Sequence, residues 1–89
     1  MLLRFSGKFD KIYGKVPYKI RDAFDRRLEL FLENPYHPLL NNHPLGGKYR
    51  GYRSINVTGD WRAIFSQQDE DDELVTIFEV IGTHSQLYK

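Results

Sequence analysis

The sequence predicts an α+β fold, with two N-terminal helices packed on one face of a small, mainly antiparallel sheet of about four strands. One strong helical periodicity lies in the first third of the chain, and three β-rich runs separated by turn signals lie in the second half. A short apolar segment before the helices adds a further strand. With 89 residues, of which 40% are hydrophobic, the chain can bury one thin core, so residues 1–89 are predicted to form a single domain.

The N-terminal segment is predicted to contain a strand and a short helix. Leu2 to Phe5 form the strand, and Ser6 is a suitable N-cap for a helix from Gly7 to about Tyr13. Gly14 ends this helix. Pro17 suits the first turn of the next one, where its missing N–H is not needed.

The second helix has the clearest pattern in the sequence. Its apolar residues recur at steps of three and four and form one stripe: Ile20, Ala23, Phe24, Leu28, Phe31 and Leu32. Asn34-Pro35 ends the helix, because the residue before a proline avoids the α region. The stripe indicates a face that packs on the core.

The second half of the chain is typical of a β-meander. After a connector over residues 36–47, the β-rich runs are Lys48 to Val57, Trp61 to Ser66 and Leu74 to Ile81. Thr58-Gly59-Asp60 predicts a tight hairpin, and Gln67 to Glu73 a longer polar loop. Residues 74–78 are apolar on both faces, which predicts a central place in the sheet. His84 to Lys89 are expected to form a short tail or turn.

Charge is distributed unevenly along the chain. Residues 1–66 hold twelve basic and six acidic side chains, whereas five of the twelve acids lie in the run from Asp69 to Glu73. This asymmetry is compatible with a polyanionic partner on one face. The acidic run itself is best explained as a solvated turn.

Several classes of protein are excluded or disfavoured by composition. No apolar run approaches the roughly 18 residues needed to span a bilayer, and the first residues lack the pattern of a signal peptide. The absence of cysteine excludes disulfides and thiolate metal sites. The three histidines, His37, His43 and His84, lack zinc spacing, and no glycine-rich nucleotide loop is present. We therefore expect a small soluble protein of the cytosol, with no metal, no cofactor and no membrane partner.

Polar residues that are costly to explain by structure alone lie in the strand half. His43 precedes the first β-rich run, Arg53 and Arg62 lie on neighbouring strands, and His84 follows the last strand. A meander can bring such residues to one open face. Cleavage of an RNA phosphodiester needs a base, an acid and fixed cations, and histidine and arginine supply them.

Several residues of this half also have purely structural explanations. His43 could cap a loop, Asp60 could hold the hairpin, Trp61 could be core or a platform for a base, and Tyr88 could pack the tail. From pattern alone the prediction is a small α+β domain that binds RNA.

Five short motifs in residues 43–88 resemble a known family. They are His43-Pro44-Leu45-x-Gly47, Gly51-Tyr52-Arg53, Asp60-Trp61, Gly82-Thr83-His84 and the following Leu87-Tyr88. Their order and spacing are similar to those of the RelE/ParE toxin superfamily, in particular its YafQ-like branch. The resemblance implies a RelE-like fold and a ribosome-dependent mRNA endonuclease of a type II toxin–antitoxin system, silenced in a hetero-oligomer by a cognate antitoxin.

The resemblance also implies roles for individual residues. His43, Asp60, His84 and Tyr88 would serve cleavage, with Trp61 beside them. His84 is the leading general acid or base, Asp60 or His43 takes the opposite role, and Tyr88 orients or stacks the substrate. Arg62 would contact the phosphate, and further cations for RNA would come from Lys48, Arg50 and Arg53.

Two positions depart from the YafQ-like pattern. Asn56 stands where a further histidine is usual, and Val80 where an arginine is usual. Asn56 cannot titrate and Val80 cannot hold a phosphate, although Arg62 could compensate. Two alternatives to an mRNA endonuclease therefore stay open. One is a ParE-like toxin that binds a protein such as gyrase, and the other is a decayed relative that only binds antitoxin or RNA.

Overall fold

The structure, a computed structural model, describes residues 1–88 and consists of five strands and three α-helices. The strands are β1 (Leu2–Phe5), β2 (His43–Pro44), β3 (Arg53–Asn56), β4 (Trp61–Glu70) and β5 (Glu73–Thr83). The helices are α1 (Gly7–Tyr13), α2 (Tyr18–Glu33) and α3 (His84–Leu87), and two short 3-10 helices span Pro38–Leu40 and Gly47–Tyr49. Among residues 1–88 no helix is both long enough and apolar enough to cross a membrane.

The strands form one sheet in the order β1-β5-β4-β3-β2. β1 pairs with β5 in parallel, and the other three pairings are antiparallel. The α+β class and the central place of residues 74–78 are confirmed. The sheet has five strands where about four were predicted, because His43 and Pro44 pair with Ser54 and Arg53 at its edge. An edge strand tolerates proline, since its missing N–H need not enter the ladder.

Three predicted segments differ from the observed ones. Gln67 to Glu73 is not a loop: β4 and β5 run on to a two-residue turn at Asp71 and Asp72, which both have positive φ (50° and 65°). This backbone suits tight hairpins, and aspartate tolerates it. The predicted strand from Lys48 shrinks to β3, because Gly47 and Gly51 adopt φ of 61° and 92° and bend the chain. His84–Leu87 form a helix rather than a tail; Lys89 lies outside the described residues.

The main core lies between the sheet and the helices α1 and α2. Phe78 of β5 is at its centre, and its ring lies 5.3–6.1 Å from five other rings: Phe5, Phe9, Phe24, Phe31 and Phe65. Phe9 belongs to α1, and Phe24 and Phe31 belong to α2. The helical stripe therefore faces the core, as its spacing predicted.

A β-bulge in β5 sets which side chains face the opposite side of the sheet. Ile64 pairs with Val80 and Phe65 with Phe78, so Glu79 is the extra residue. The Oγ of Ser6 donates to the Glu79 carbonyl at 3.1 Å and also accepts from Phe9 N as the predicted N-cap. Beyond the bulge, Val80 joins Ile64 and Leu87 in a second, smaller apolar cluster on the face away from α2. The residues that follow, including His84, are thereby aimed at that face.

The hydroxyl of Tyr13 links the two N-terminal helices. Tyr13 of α1 donates its hydroxyl proton to Oδ1 of Asp25 in α2 at 2.7 Å, and its ring stacks on Phe9. Burial, and then the bond to Asp25, raise the pKa of Tyr13 from 10.0 to about 12. The protonated hydroxyl is thus favoured in the folded state.

We expect this bond to make the fold sensitive to alkali. Below pH 10.0 Tyr13 is protonated in the folded and the unfolded chain, so its stabilisation is complete. Between pH 10.0 and about 12 the unfolded chain loses the proton first, so stability falls as pH rises. In urea unfolding, the free energy of unfolding of Tyr13→Phe should fall less steeply with rising pH than that of the wild type. Tyr18→Phe, at an exposed tyrosine, is the control and should follow wild type. Identical alkaline slopes for Tyr13→Phe and wild type would contradict the assignment.

Candidate active site

Four of the predicted site residues share one open cleft on the face away from α2. This His43–His84 cleft has a volume of about 400 Å³ and is lined by Asn41, His43, Pro44, Leu45, Gly46, Arg62, His84 and Tyr88. His43 comes from β2, Arg62 from β4, and His84 from the start of α3. The structure thus places His84 and Arg62 at the same cleft.

The ring of His43 has a defined tautomer. Its Nδ1 lies 2.7 Å from the carbonyl oxygen of Asn41, and a carbonyl can only accept. Nδ1 therefore carries a proton, and Nε2 of the neutral ring has a free lone pair. Asn41 turns its carbonyl toward the ring through a left-handed backbone with φ of 46°. A neutral imidazole held in this way can accept a proton.

The start of α3 holds His84 beside the hairpin that joins β3 and β4. The backbone N–H of His84 donates to the carbonyl of Asp60 at 3.0 Å. Thr83 caps α3 in a capping box with Gln86, whose side chain accepts from Thr83 N at 2.9 Å. The ring of His84 lies 4.7 Å from that of Tyr88, between centroids. His84 is exposed, so its imidazole can reach a ligand in the cleft.

Gly82 lets α3 approach the sheet closely. A Cβ at this position would lie 3.2 Å from Leu87 Cδ2 and 3.2 Å from Gln86 Oε1. Leu87 is buried in the second cluster and has little room to give way. The glycine of the Gly82-Thr83-His84 motif thus permits the packing that places His84.

Arg62 is anchored through one of its nitrogens. Nη1 donates to the carbonyls of Thr58, Gly59 and Trp61 at 3.0, 3.2 and 3.1 Å. Within residues 1–88, Nε and Nη2 form no hydrogen bonds. A guanidinium that is anchored through Nη1 can bind a phosphate oxygen through Nε or Nη2 without changing its position.

Two buried polar atoms lie in the strand beside the cleft residues. Ser54 pairs with His43, and Asn56 pairs with Arg62. Ser54 Oγ and Asn56 Oδ1 are buried and have no hydrogen-bond partner among the described residues. Val80, the other departure from the family pattern, is 6% exposed in the second cluster and lies outside the cleft.

Five other predicted site residues do not line the His43–His84 cleft. Asp60 is an exposed turn residue, and the contact that ties it to the site is its backbone bond to His84. Trp61 packs against the main core on the opposite face, since consecutive strand residues point to opposite sides. Arg53 donates to Asn42 Oδ1 at 2.7 Å and covers the Tyr36 ring, so it holds the connector before His43. Lys48 and Arg50 are exposed outside the cleft.

Sequence reasoning missed Asn41, Lys8 and Tyr49. The sequence gives only a weak indication of a left-handed turn at Asn41, because asparagine is among the residues that tolerate this backbone conformation. Lys8 and Tyr49 line an adjacent cleft that only the folded chain creates. Among residues 1–88, no three His, Cys, Asp or Glu side chains are grouped so as to hold a metal ion.

The sheet, with α2 on one face and a histidine–arginine cleft on the other, has the RelE-like α+β fold. The YoeB/ParE toxin from Agrobacterium tumefaciens shares this fold, with a TM-score of 0.74 at 17% identity over 94% of this chain and 99% of that chain. The sequence model of the family described as the bacterial toxin of type II toxin–antitoxin system, YafQ, matches residues 3–89. The chain belongs to this family, and the resemblance seen in its motifs is confirmed.

Relatives from Escherichia coli support the same assignment over nearly the whole chain. The mRNA interferase toxin YafQ of strain K12 is 28% identical over 90 aligned positions, which cover 97% of this chain and 94% of the relative. The crystal structure of YafQ from strain BL21(DE3) has a TM-score of 0.77 and 27% identity. That of the E. coli DinJ–YafQ complex has a TM-score of 0.74 and 27% identity. Each structural alignment covers 98% of this chain and 97% of the other.

Proposed function

We propose that residues 1–89 form a single toxin domain that cleaves mRNA on the ribosome, in the cytoplasm, by acid–base chemistry of its own side chains without a metal. The observation that carries the proposal is the His43–His84 cleft, where two imidazoles and a guanidinium face one open space. The E. coli relatives are named mRNA interferases, which supports the same activity here.

The cleft supplies the groups that a transesterification needs. Nε2 of His43 takes the proton from the ribose 2′-hydroxyl, whose oxygen attacks the phosphorus. The bond from phosphorus to the 5′-oxygen breaks, and protonated His84 gives its proton to that oxygen. Arg62 balances the charge that grows on the phosphate oxygens. One proton is taken and one is given, so the products are a cyclic phosphate and a free 5′-hydroxyl.

The remaining predicted residues have supporting parts in this proposal. Tyr88, in ring contact with His84, orients the imidazole and stacks a base. Asp60 acts through its backbone by tethering His84, and His43 takes the proton role opposite to His84 because it lines the cleft. Arg50 and Arg53 add positive charge outside the cleft, and Trp61 supports the strand that carries Arg62.

The partner that silences the toxin is proposed to be a cognate antitoxin in a hetero-oligomer. The E. coli relative forms a complex with DinJ. An acidic amphipathic helix would complement the basic face, and an apolar groove between α1 and α2 offers a further contact. The groove has a volume of about 290 Å³ and includes Phe5, Tyr13 and Leu28.

A reconstituted translation system tests the activity. The purified protein should cut mRNA that is being translated, leave naked mRNA intact, and stop cutting when the cognate antitoxin is added. Intact mRNA on active ribosomes would contradict the proposal. Persistent DNA breaks with undamaged mRNA would instead favour a gyrase-directed toxin. Failure of the expressed protein to arrest growth would favour a decayed relative.

A further inference from the structure

A second cleft adjoins the proposed catalytic one and is positively charged. This Lys8–Lys48 cleft has a volume of about 410 Å³ and is lined by Lys8, Ile12, Lys48, Tyr49, Val80, Ile81, Gly82, Gln86 and Leu87. No carboxylate of residues 1–88 is among the lining side chains. Lys8 comes from α1 and Lys48 from the 3-10 helix Gly47–Tyr49, so two distant parts of the chain supply the charges.

Residues of α3 and a pair of tyrosines connect the two clefts. His84 and Tyr88 line the first cleft, whereas Gln86 and Leu87 line the second. The ring of Tyr88 meets that of Tyr49 edge to face, with centroids 5.9 Å apart. An RNA strand bound at His84 can therefore pass over Tyr88 and Tyr49 into the second cleft.

The chemistry of the second cleft suits a nucleotide. Lys8 and Lys48 are exposed, and a lysine ammonium is carried on a four-carbon stem with free rotations, so these groups can follow a phosphate at little cost in desolvation. Nζ of Lys48 lies 5.1 Å from the centroid of the Tyr49 ring, which holds the charge near an aromatic surface. Val80 and Leu87 form an apolar floor against which a base or ribose can rest. A positive groove with an aromatic wall is the usual solution for single-stranded nucleic acid.

We propose that the Lys8–Lys48 cleft is a binding subsite for the nucleotide next to the scissile phosphate of single-stranded RNA. Its lysines hold the flanking phosphate, and Tyr49 and the apolar floor hold the base or ribose. The subsite rests on the proposed ribonuclease function, and it increases affinity for the strand without taking part in proton transfer. Because it contacts backbone charge, it binds without sequence preference.

Two measurements on one set of variants test the subsite. The double variant Lys8→Gln/Lys48→Gln removes the two charges, and Lys19→Gln/Arg26→Gln removes two exposed charges of α2 that line neither cleft. Binding of a short labelled single-stranded RNA is followed by fluorescence anisotropy at several salt concentrations. Cleavage of ribosome-bound mRNA is followed at increasing toxin concentration. We expect the first variant to bind more weakly, with a salt slope flatter by about 0.7 for each phosphate that the lysines no longer neutralise. Its maximal cleavage rate should equal that of the α2 variant.

The outcomes separate the subsite from the catalytic proposal. Equal RNA affinity of the two double variants, or no RNA binding by the wild type, overturns the subsite. A lower maximal rate with unchanged affinity also overturns it, since the lysines would then act on the chemical step. If the wild type binds RNA through Lys8 and Lys48 but cuts nothing on the ribosome, the cleft is an RNA-binding site and the ribonuclease proposal fails.

Discussion

Replacing His84 by alanine should slow cleavage of ribosome-bound mRNA by about 10²-fold or more, the usual contribution of a general acid or base. The imidazole is exposed at the start of α3 and lines the cleft that His43 and Arg62 share. Alanine keeps the backbone bond from residue 84 to the Asp60 carbonyl, so the helix stays in place while the proton donor is removed. Single-turnover cleavage at saturating toxin measures the effect on the chemical step.

A matched histidine outside the cleft provides the control. His37 caps the 3-10 helix at Pro38 by accepting from Leu39 N at 3.1 Å. His37→Asn removes an imidazole and keeps a capping acceptor, so cleavage should remain at the wild-type rate. Added imidazole should partly restore cleavage by His84→Ala if proton transfer is the step that the substitution impairs. A wild-type rate for His84→Ala would exclude His84 from the chemistry.

The second large effect is expected at Arg62, where alanine should lower the maximal cleavage rate by about 10²–10³-fold. The guanidinium is held by three backbone carbonyls through Nη1, so it is already in position when negative charge develops on the phosphate oxygens in the transition state. Arg62→Lys should fall between alanine and wild type, since lysine restores charge without the planar fork. The rate at saturating toxin is the quantity to compare, because weaker binding alone would leave it unchanged.

Arg27→Ala serves as the control for the removal of an anchored arginine. Arg27 also donates to a backbone carbonyl, that of Val57 at 3.4 Å, but it belongs to α2 and lines neither cleft. Thermal unfolding of both variants shows whether the hairpin and helix contacts matter for stability. If Arg62→Ala and Arg27→Ala cut mRNA equally fast, Arg62 does not stabilise the transition state.

The two N-terminal helices were predictable because their signals are local. Ser6 caps α1 through a contact only three residues away, and the bounds Gly7–Tyr13 follow from it. The stripe of α2 needs only its own spacing, and Phe24 and Phe31 are buried as that spacing requires. The end of the sheet was not predictable in this way, because β2 exists only through its pairing with β3, about ten residues further along the chain.

The turn at Asp71 and Asp72 shows how charge misleads a prediction. Five consecutive acids suggested a solvated loop, but two of them suffice for the turn, and the flanking residues continue the strands. Glu70 and Glu73 each find a positive partner near β1, Arg4 at 3.3 Å and the N-terminal amine at 3.0 Å. Those partners lie at the other end of the chain, so local composition carried no sign of them.

By itself, the sequence determined the α+β class, the two N-terminal helices, the family and the kinds of side chain available for catalysis, because these depend on composition, spacing and short motifs. Only the tertiary structure decided which of those side chains meet. Trp61 and Arg62 are neighbours in β4, so their side chains point to opposite faces of the sheet. In the folded chain Trp61 packs against the main core and Arg62 lines the cleft. The bulge at Glu79 and the close approach of α3 at Gly82 then bring His84 to the same side. Contacts between distant parts of the chain determine which side chains line the cleft, so no local sequence pattern can predict it.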